Sequence, residues 1–320
     1  MARMFLKRRI GLALKLAVSI VLIAVVCRNI DGRSVIERFA GESNDWLFVA
    51  ALVTLAQILL ASFRWHQVLE GLDVRVPAET VVKTTFIGSF FNAWLLGVFG
   101  GDIARALLVP APIRGRSTVV HSVLFDRAVT LAGLALVIIP IVVLDLGPLS
   151  RGLPLLVSLV VALSPCVLLC CVSPMAGIAD RWGLPFSHHI GRVGTDWVQL
   201  LHAWQRLAAA LAFSALGVVA VSVTAYCLAR AAHLDVSLLD FLILMAPVML
   251  LSALPISLGG WGVRESAMVI ALGSVGVAAA PAVVVSVQMG LLAALLSLPG
   301  GAMWLFRYLG RQRQAAAAAR

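Results

Sequence analysis

SALPISLGGWGVRE, residues 252–265, sets a proline, three glycines and an Arg-Glu pair inside otherwise apolar sequence. About 160 residues earlier, FNAWLLGVFGGDIAR, residues 91–105, repeats the theme with Asn92, Gly100, Gly101, Asp102 and Arg105. A helix inside lipid tolerates a break only where protein or a water-filled cavity satisfies the freed backbone groups. A Gly-Gly pair beside a proline or asparagine and ionisable residues therefore reads as an unwound turn facing a substrate. Charges at a bilayer midplane cost about 2.5 to 3.5 kcal/mol each on insertion scales, so a cluster of them requires a reason.

The rest of the chain supplies the membrane. Of its 320 residues, 61% are hydrophobic and 12% charged, with mean hydropathy +1.02. The apolar residues fall in runs long enough to cross a lipid core of about 30 Å. The net charge of +10 resides mainly in short connections and at the termini, without an aromatic-interleaved basic face. Anionic headgroups and the positive-inside rule account for it, and nucleic acid is not an expected partner. Cys27, Cys166, Cys170, Cys171 and Cys227 lie in or beside apolar runs with no CxxC pair, and read as small buried hydrophobes rather than a disulfide or metal framework. His188-His189 reads as a solvated loop pair, so no metal and no cofactor is expected.

Crossings follow from the apolar runs. The first, 10–27, is preceded by Arg3, Lys7, Arg8 and Arg9; Lys15 interrupts it and no small-residue cleavage site follows, so it reads as an uncleaved helix with a cytoplasmic N-terminus. The second is 46–63, with Trp46 and Trp65 as interfacial anchors and a cytoplasmic loop over 64–83. A broken, re-entrant element spans 84–110, then a third crossing 119–144 and a fourth 153–172. In the cytoplasmic loop 173–206, Val193, Trp197, Leu200, Leu201 and Trp204 fall at helical spacing and predict an interfacial amphipathic helix over 190–206. A fifth crossing, 207–229, precedes the second broken element, 241–280, and a sixth, 282–306. Arg307, Arg311 and Arg313 place the C-terminus in the cytoplasm, and the Ala run after Gln314 reads as a disordered low-complexity tail.

Adding 160 to the second crossing and to the third gives the fifth and the sixth, and the Gly-Gly pairs lie 159 apart. Each pseudo-repeat, about 10–150 and 151–306, then holds three crossings plus one broken element. Three is odd, so the second repeat is inverted relative to the first. The expected fold is an all-α polytopic membrane protein with one transmembrane domain over 1–306 and a tail over 307–320. The arms of the second broken element are long enough that full crossings stay open as an alternative.

The remaining intramembrane charges are Asp126-Arg127 and Arg264-Glu265. Asp102 and Arg105, three apart on a helix, share a face. Adjacent helical positions diverge by roughly 100°, so neither dyad is expected to satisfy itself. Cross-element partners are expected instead: Asp126 with Arg105 or Arg264, and Arg127 with Glu265, lining one polar cavity. Helix arms starting after Gly101 and Gly262 would turn their positive ends into the turns, which fits a phosphate headgroup, while Asp102 and Glu265 equally permit an amine.

At these residues the chain resembles the transmembrane region of lysylphosphatidylglycerol synthases and the stand-alone flippase-like proteins related to it, some associated with hopanoid biosynthesis. The matching motifs are Asn92 with Gly100-Gly101-Asp102 and Arg105; Ser122 with Asp126-Arg127 and Gly133; and Pro255 with Gly259-Gly260, Gly262 and Arg264-Glu265. Leu96-Gly97 stands where that pattern leads one to expect a proline. No stretch corresponds to the soluble aminoacyl-transferring domain, so that reaction is not carried over. The resemblance implies a lipid-handling function, with these residues as the substrate-binding and translocation set.

No HExxH, GxSxG, P-loop or dinucleotide fingerprint is present, and no catalytic residue is assigned. The expectation is a translocase in the bacterial inner membrane that passes a polar-headgroup lipid, a phospholipid or an isoprenoid- or hopanoid-related one, between leaflets by alternating access. A membrane-embedded transferase acting on a lipid carrier and a secondary transporter of a small polar solute are the alternatives. The partner is membrane lipid; a homo-oligomer and association with lipid-biosynthesis enzymes are both compatible with the sequence.

Overall fold

Polar residues that close an apolar run in sequence do not end the first described helix. The structure, a computed structural model, describes residues 43–94, 100–110, 115–146, 187–253 and 260–318, with isolated helical positions between 159 and 171. The first crossing, Pro255 and Gly259 lie outside the described residues, as does most of the fourth crossing. Among the described residues the fold is all-α: α1 Asn44–Gly71, α2 Ala78–Trp94, α3 Gly100–Leu108, α4 Arg116–Val143, α5 Ser187–His202, α6 Trp204–Ala231, α7 Leu238–Ala253, α8 Val263–Gly273 and α9 Ala279–Ala318.

Four of these helices are long and apolar enough to cross a bilayer: α1, α4, α6 and residues Ala279–Leu309 of α9. Their outer faces expose large apolar side chains, among them Phe48, Leu52, Val120, Leu136, Leu216, Leu295 and Phe306. Their inner faces bury Ser62, Ser122, Ser222, Ser286 and Ser297. Exposed large apolar groups and buried small polar ones suit helices solvated by lipid, where small residues let neighbouring backbones approach. At Gly133 of α4 a Cβ would lie 2.4 Å from the Ser214 Cβ of α6, and the Ser214 hydroxyl donates to the Thr130 carbonyl at 3.2 Å.

The chain divides into two compact units. One comprises Met1–Leu55, Phe86–Ala104 and Val221–Arg320, the other Ala56–Thr85 and Arg105–Ala220. In the first, α7 packs on α8 and α8 on α9. The end of α2 also meets α9, where the Trp94 indole donates to the Ala294 carbonyl at 3.1 Å and Phe91 stacks edge-on against Trp304. In the second unit one apolar core joins Trp65, Leu69 and Leu72 of α1, Phe125 of α4, and Trp197 and Leu200 of α5.

Local backbone geometry recurs at the 160-residue offset. α1 and α6 are both 28 residues long and begin at 44 and 204. Two residues beyond each helix end the backbone takes a left-handed φ, at Asp73 57° and at His233 58°. Each closes with the same pair of bonds: Val74 N–H to the Leu69 carbonyl and Asp73 to Glu70, then Leu234 to Ala229 and His233 to Arg230. This pair of hydrogen bonds satisfies carbonyls that a helix terminus otherwise leaves open. α2 and α7 then start at 78 and 238.

Four expectations are corrected. The helix predicted over 46–63 continues to Gly71, so Arg64 is helical and Trp65 is fully buried rather than an interfacial anchor. These residues read as a helix end because their partners, described below, are distant in sequence. The amphipathic helix α5 forms, but Val193, Trp197 and Leu200 pack on protein rather than entering lipid. The C-terminal Ala run continues α9 to Ala318, consistent with alanine's helix propensity, instead of forming a disordered tail. Of the cysteines, Cys227 is buried as expected, whereas Cys170 and Cys171 are exposed; all three are free thiols.

Candidate functional site

Asp126 sits in α4 with its carboxylate fully buried, and two guanidinium groups converge on it. Arg64 Nε donates to Oδ1 at 2.7 Å and its Nη2 to Oδ2 at 3.3 Å. Arg105, from α3, brings Nη2 to Oδ2 at 2.8 Å. The Arg105 guanidinium lies over the Trp65 ring, 4.7 Å from its centroid, and the Trp65 indole donates to the Ser122 hydroxyl at 3.1 Å. Three elements are thus tied through one carboxylate, α1 by Arg64, α3 by Arg105 and α4 by Asp126 itself. Bidentate guanidinium contacts and a stacked aromatic ring are the strong forms of these interactions.

The Asp126–Arg105 pairing is one of those the sequence predicts. Sequence alone gives no reason to include Arg64, which without coordinates counts as a loop charge. Asp102, on the first turn of α3, is buried, and Gly100 is buried as well. Arg127 is half-buried on α4. At the start of α3 the Gly101 N–H donates to Asn92 Oδ1 at 2.7 Å, so the asparagine satisfies one of the helix's open donors. Gly101 is there for a steric reason too: a Cβ would stand 2.0 Å from the Gly88 carbonyl oxygen.

The second cluster forms at the start of α8. Gly260 and Gly262 have φ of 81° and 87°, a conformation that glycine adopts without strain. Glu265, in the first turn of α8, folds its side chain back so that Oε2 accepts the Gly262 N–H at 2.5 Å. Its Oε1 accepts from Arg264 Nη2 at 2.8 Å, from Arg264 Nε at 3.2 Å and from the Ser286 hydroxyl of α9 at 3.2 Å. The expectation that Arg264 and Glu265 cannot satisfy each other is therefore overturned. The 100° divergence governs Cβ directions, whereas a carboxylate turned back toward its own helix start meets a long guanidinium arm curving round it.

Ser286, Gly290 and Trp261 escape sequence reasoning. Arg264 Nε also reaches the Ser286 hydroxyl at 3.2 Å, and its guanidinium carbon lies 4.9 Å from the Trp261 ring centroid. The 160-residue offset held the signal, since Ser286 is the counterpart of Asp126 and Arg264 lies 159 beyond Arg105. In both places an arginine of a short helix bonds a residue of the following long helix, Asp126 from Arg105 and Ser286 from Arg264. At the position 160 residues after Asp126 stands a serine, and Glu265 supplies the carboxylate from next door to Arg264.

Among the described residues no group of three or more His, Cys, Asp or Glu could hold a metal ion. No curated protein matches the chain. A model of the family described as lysylphosphatidylglycerol synthase TM region matches residues 12–301, taking in both arginine clusters, all of α1, α4 and α6, and most of the apolar part of α9. With most of its length so matched, the chain is a membrane protein that belongs to the lysylphosphatidylglycerol synthase transmembrane-region family.

Proposed function

We propose that the protein is a lipid translocase that passes a polar-headgroup lipid between leaflets of a bacterial inner membrane, with both termini in the cytoplasm. The observation that carries this reading is the enclosure of Asp126, Arg64 and Arg105 within a protein whose long helices are otherwise apolar. Charges cost too much in lipid to be retained as surface decoration, and a headgroup crossing the bilayer needs polar groups along its way.

In this reading the two halves form an inverted repeat, and 84–110 and 241–280 are broken elements whose glycine turns bend to expose the headgroup to one side and then the other. Asn92, Gly100, Gly101, Asp102, Arg105, Asp126 and Arg127 serve the first element, and Pro255, Gly259, Gly260, Gly262, Arg264 and Glu265 the second. The matched backbone at the 160-residue offset and the left-handed φ of Gly260 and Gly262 support this arrangement. The acyl chains stay in lipid while the headgroup moves.

Purified protein reconstituted in liposomes with a headgroup-labelled phospholipid tests it. Accelerated exposure of the label to a membrane-impermeant quencher, with the lipid chemically unchanged, is the expected result. A covalently altered lipid would replace the translocase with a transferase, and uptake of a polar solute without lipid movement would replace it with a solute transporter.

A further inference from the structure

α5 lies against the start of α4, and between them is a cavity of about 330 Å³ lined by Ser117 and Thr118 of α4 and by Arg192, Thr195, Asp196 and Gln199 of α5. The four α5 residues follow at i, i+3, i+4 and i+7 and so share one face. The positions next to three of them, Val193, Trp197 and Leu200, pack into the core instead. None of the six residues belongs to either arginine cluster.

At one end of the cavity, donors go unused. Gly115, the N-cap of α4, offers no side-chain cap, so the first-turn N–H groups stay open at the positive end of a 28-residue helix. Arg116 is turned elsewhere, its Nη1 donating to the Ala106 and Leu107 carbonyls at 3.3 and 3.1 Å. Thr118 is 4% exposed, and its hydroxyl makes no hydrogen bond among the described residues. Burying a hydroxyl without a partner is unfavourable, so this one points to a bound molecule that supplies the partner. The exposed Arg192 guanidinium forms no ion pair among the described residues.

At the other end, an acceptor goes unused. Asp196 Oδ2 pairs with His121 Nδ1 at 2.6 Å, which leaves Oδ1 without a partner among the described residues. The Thr195 hydroxyl is turned to the Arg192 carbonyl at 2.9 Å. A simple anion drawn to the open N–H groups would therefore face a carboxylate, and a simple amine drawn to Asp196 would face Arg192 and the helix's positive end. A molecule carrying both charges satisfies both ends. His121, which fixes Asp196, stands four residues beyond Ser117, a rise of about 6 Å. Hydrogen bonds of about 2.8 Å to an ammonium and a carboxylate that share one carbon span about 8 Å at most, enough to bridge that rise.

We infer that this cavity binds a small water-soluble α-amino acid, its carboxylate held by the α4 N-terminus, Thr118 and Arg192 and its ammonium by Asp196. The inference stands apart from the translocase reading, because no cavity residue belongs to the proposed translocation set.

The test is calorimetric binding to the purified full chain in neutral detergent. The probes are L-serine, whose hydroxyl suits the polar lining, then propionate, ethylammonium and dihexanoyl phosphatidylethanolamine. L-Serine is expected to bind and each single-charge probe to bind at least about 10-fold more weakly, the value of one charge-assisted contact. Arg192→Gln should weaken L-serine by about 10- to 100-fold, and Thr118→Val, which keeps the side-chain shape, by about 3- to 10-fold. Neither side chain is hydrogen-bonded in the free protein, so both variants should keep the wild-type unfolding midpoint within a few degrees. Asp196→Asn retains an acceptor for His121 and should abolish the preference for L-serine over propionate.

Absence of L-serine binding at millimolar concentration overturns the inference, as does unchanged L-serine affinity in both Arg192→Gln and Thr118→Val. Propionate binding as tightly as L-serine to the wild type overturns it in favour of a plain anion site. Phosphatidylethanolamine binding more tightly than L-serine overturns it in favour of a lipid headgroup. Selective L-serine binding that falls in the variants as stated supports it, whether or not lipid moves in liposomes.

Discussion

Asp126 shows how one buried carboxylate organises its surroundings. With two guanidinium groups on it and no exposure, it offsets charges that would otherwise be stranded away from water. Removing one partner of such a cluster costs about 3–5 kcal/mol, far more than the pair's net contribution, because the remaining charge stays buried and uncompensated. Asp126→Asn is therefore expected to lower the thermal unfolding midpoint in detergent sharply, and a midpoint unchanged from wild type would show that the cluster is not structurally required. Arg64→Gln should cost less, because Arg105 still reaches Oδ2. Of this cluster Asp126 and Arg105 were legible, since a charge inside an apolar run needs a partner. Arg64 was not, because a charge at the apparent end of a run already has an explanation in water. Ser286 and Gly290 were hidden for a further reason: serine and glycine are ordinary in membrane helices, and only a guanidinium resting on them gives them a role.

At the scale of elements, glycines with identical helical propensity separate by what stands opposite them. Gly101→Ala drives a methyl into the Gly88 backbone, which cannot swing aside, so a loss of about 1–3 kcal/mol or a failure to fold is expected. Gly217→Ala in α6 meets nothing within 4 Å and should be neutral or slightly stabilising, by less than about 1 kcal/mol. Unfolding midpoints of the two variants measured side by side decide this, and equal effects would contradict the close approach of α2 and α3. α5 offers a parallel case. Its helical spacing of apolar residues was evident, but periodicity reports only that one face is buried, never against what. Because Trp197 packs at 5.2 Å on Phe125 and His121 meets Asp196 at 2.6 Å, α5 docks on α4. Trp197→Ala should then destabilise the protein by about 3–5 kcal/mol, as for an aromatic removed from a core. A helix lying in lipid would lose membrane affinity instead, with little change in unfolding.

For the whole molecule, the proposed inversion makes a sharp prediction at two loops that share one backbone geometry. Arg75 and Asp235 are exposed, lie 160 residues apart, and follow the equivalent turns at Asp73 and His233. In a background without the native cysteines, Arg75→Cys and Asp235→Cys should be labelled by an impermeant maleimide from opposite sides of the membrane, Arg75→Cys from the cytoplasmic side. Labelling of both from one side would replace the inverted repeat with a parallel one.

Sequence reading alone was enough to recognise a polytopic all-α membrane protein, its family motifs, and an apparent spacing of about 160 residues between its apolar runs. These are properties of apolar run length, spacing and residue identity, which need no coordinates. Beyond the Asp126–Arg105 pair, the contacts that complete both charge clusters emerged only in the folded chain. Tertiary structure joined Arg64 to Asp126 across 62 positions, placed Ser286 and Gly290 under Arg264, and turned α5 onto protein. The physical reason is that pairing in a low-dielectric interior is set by distances of about 3 Å between side-chain tips, which sequence separation does not encode.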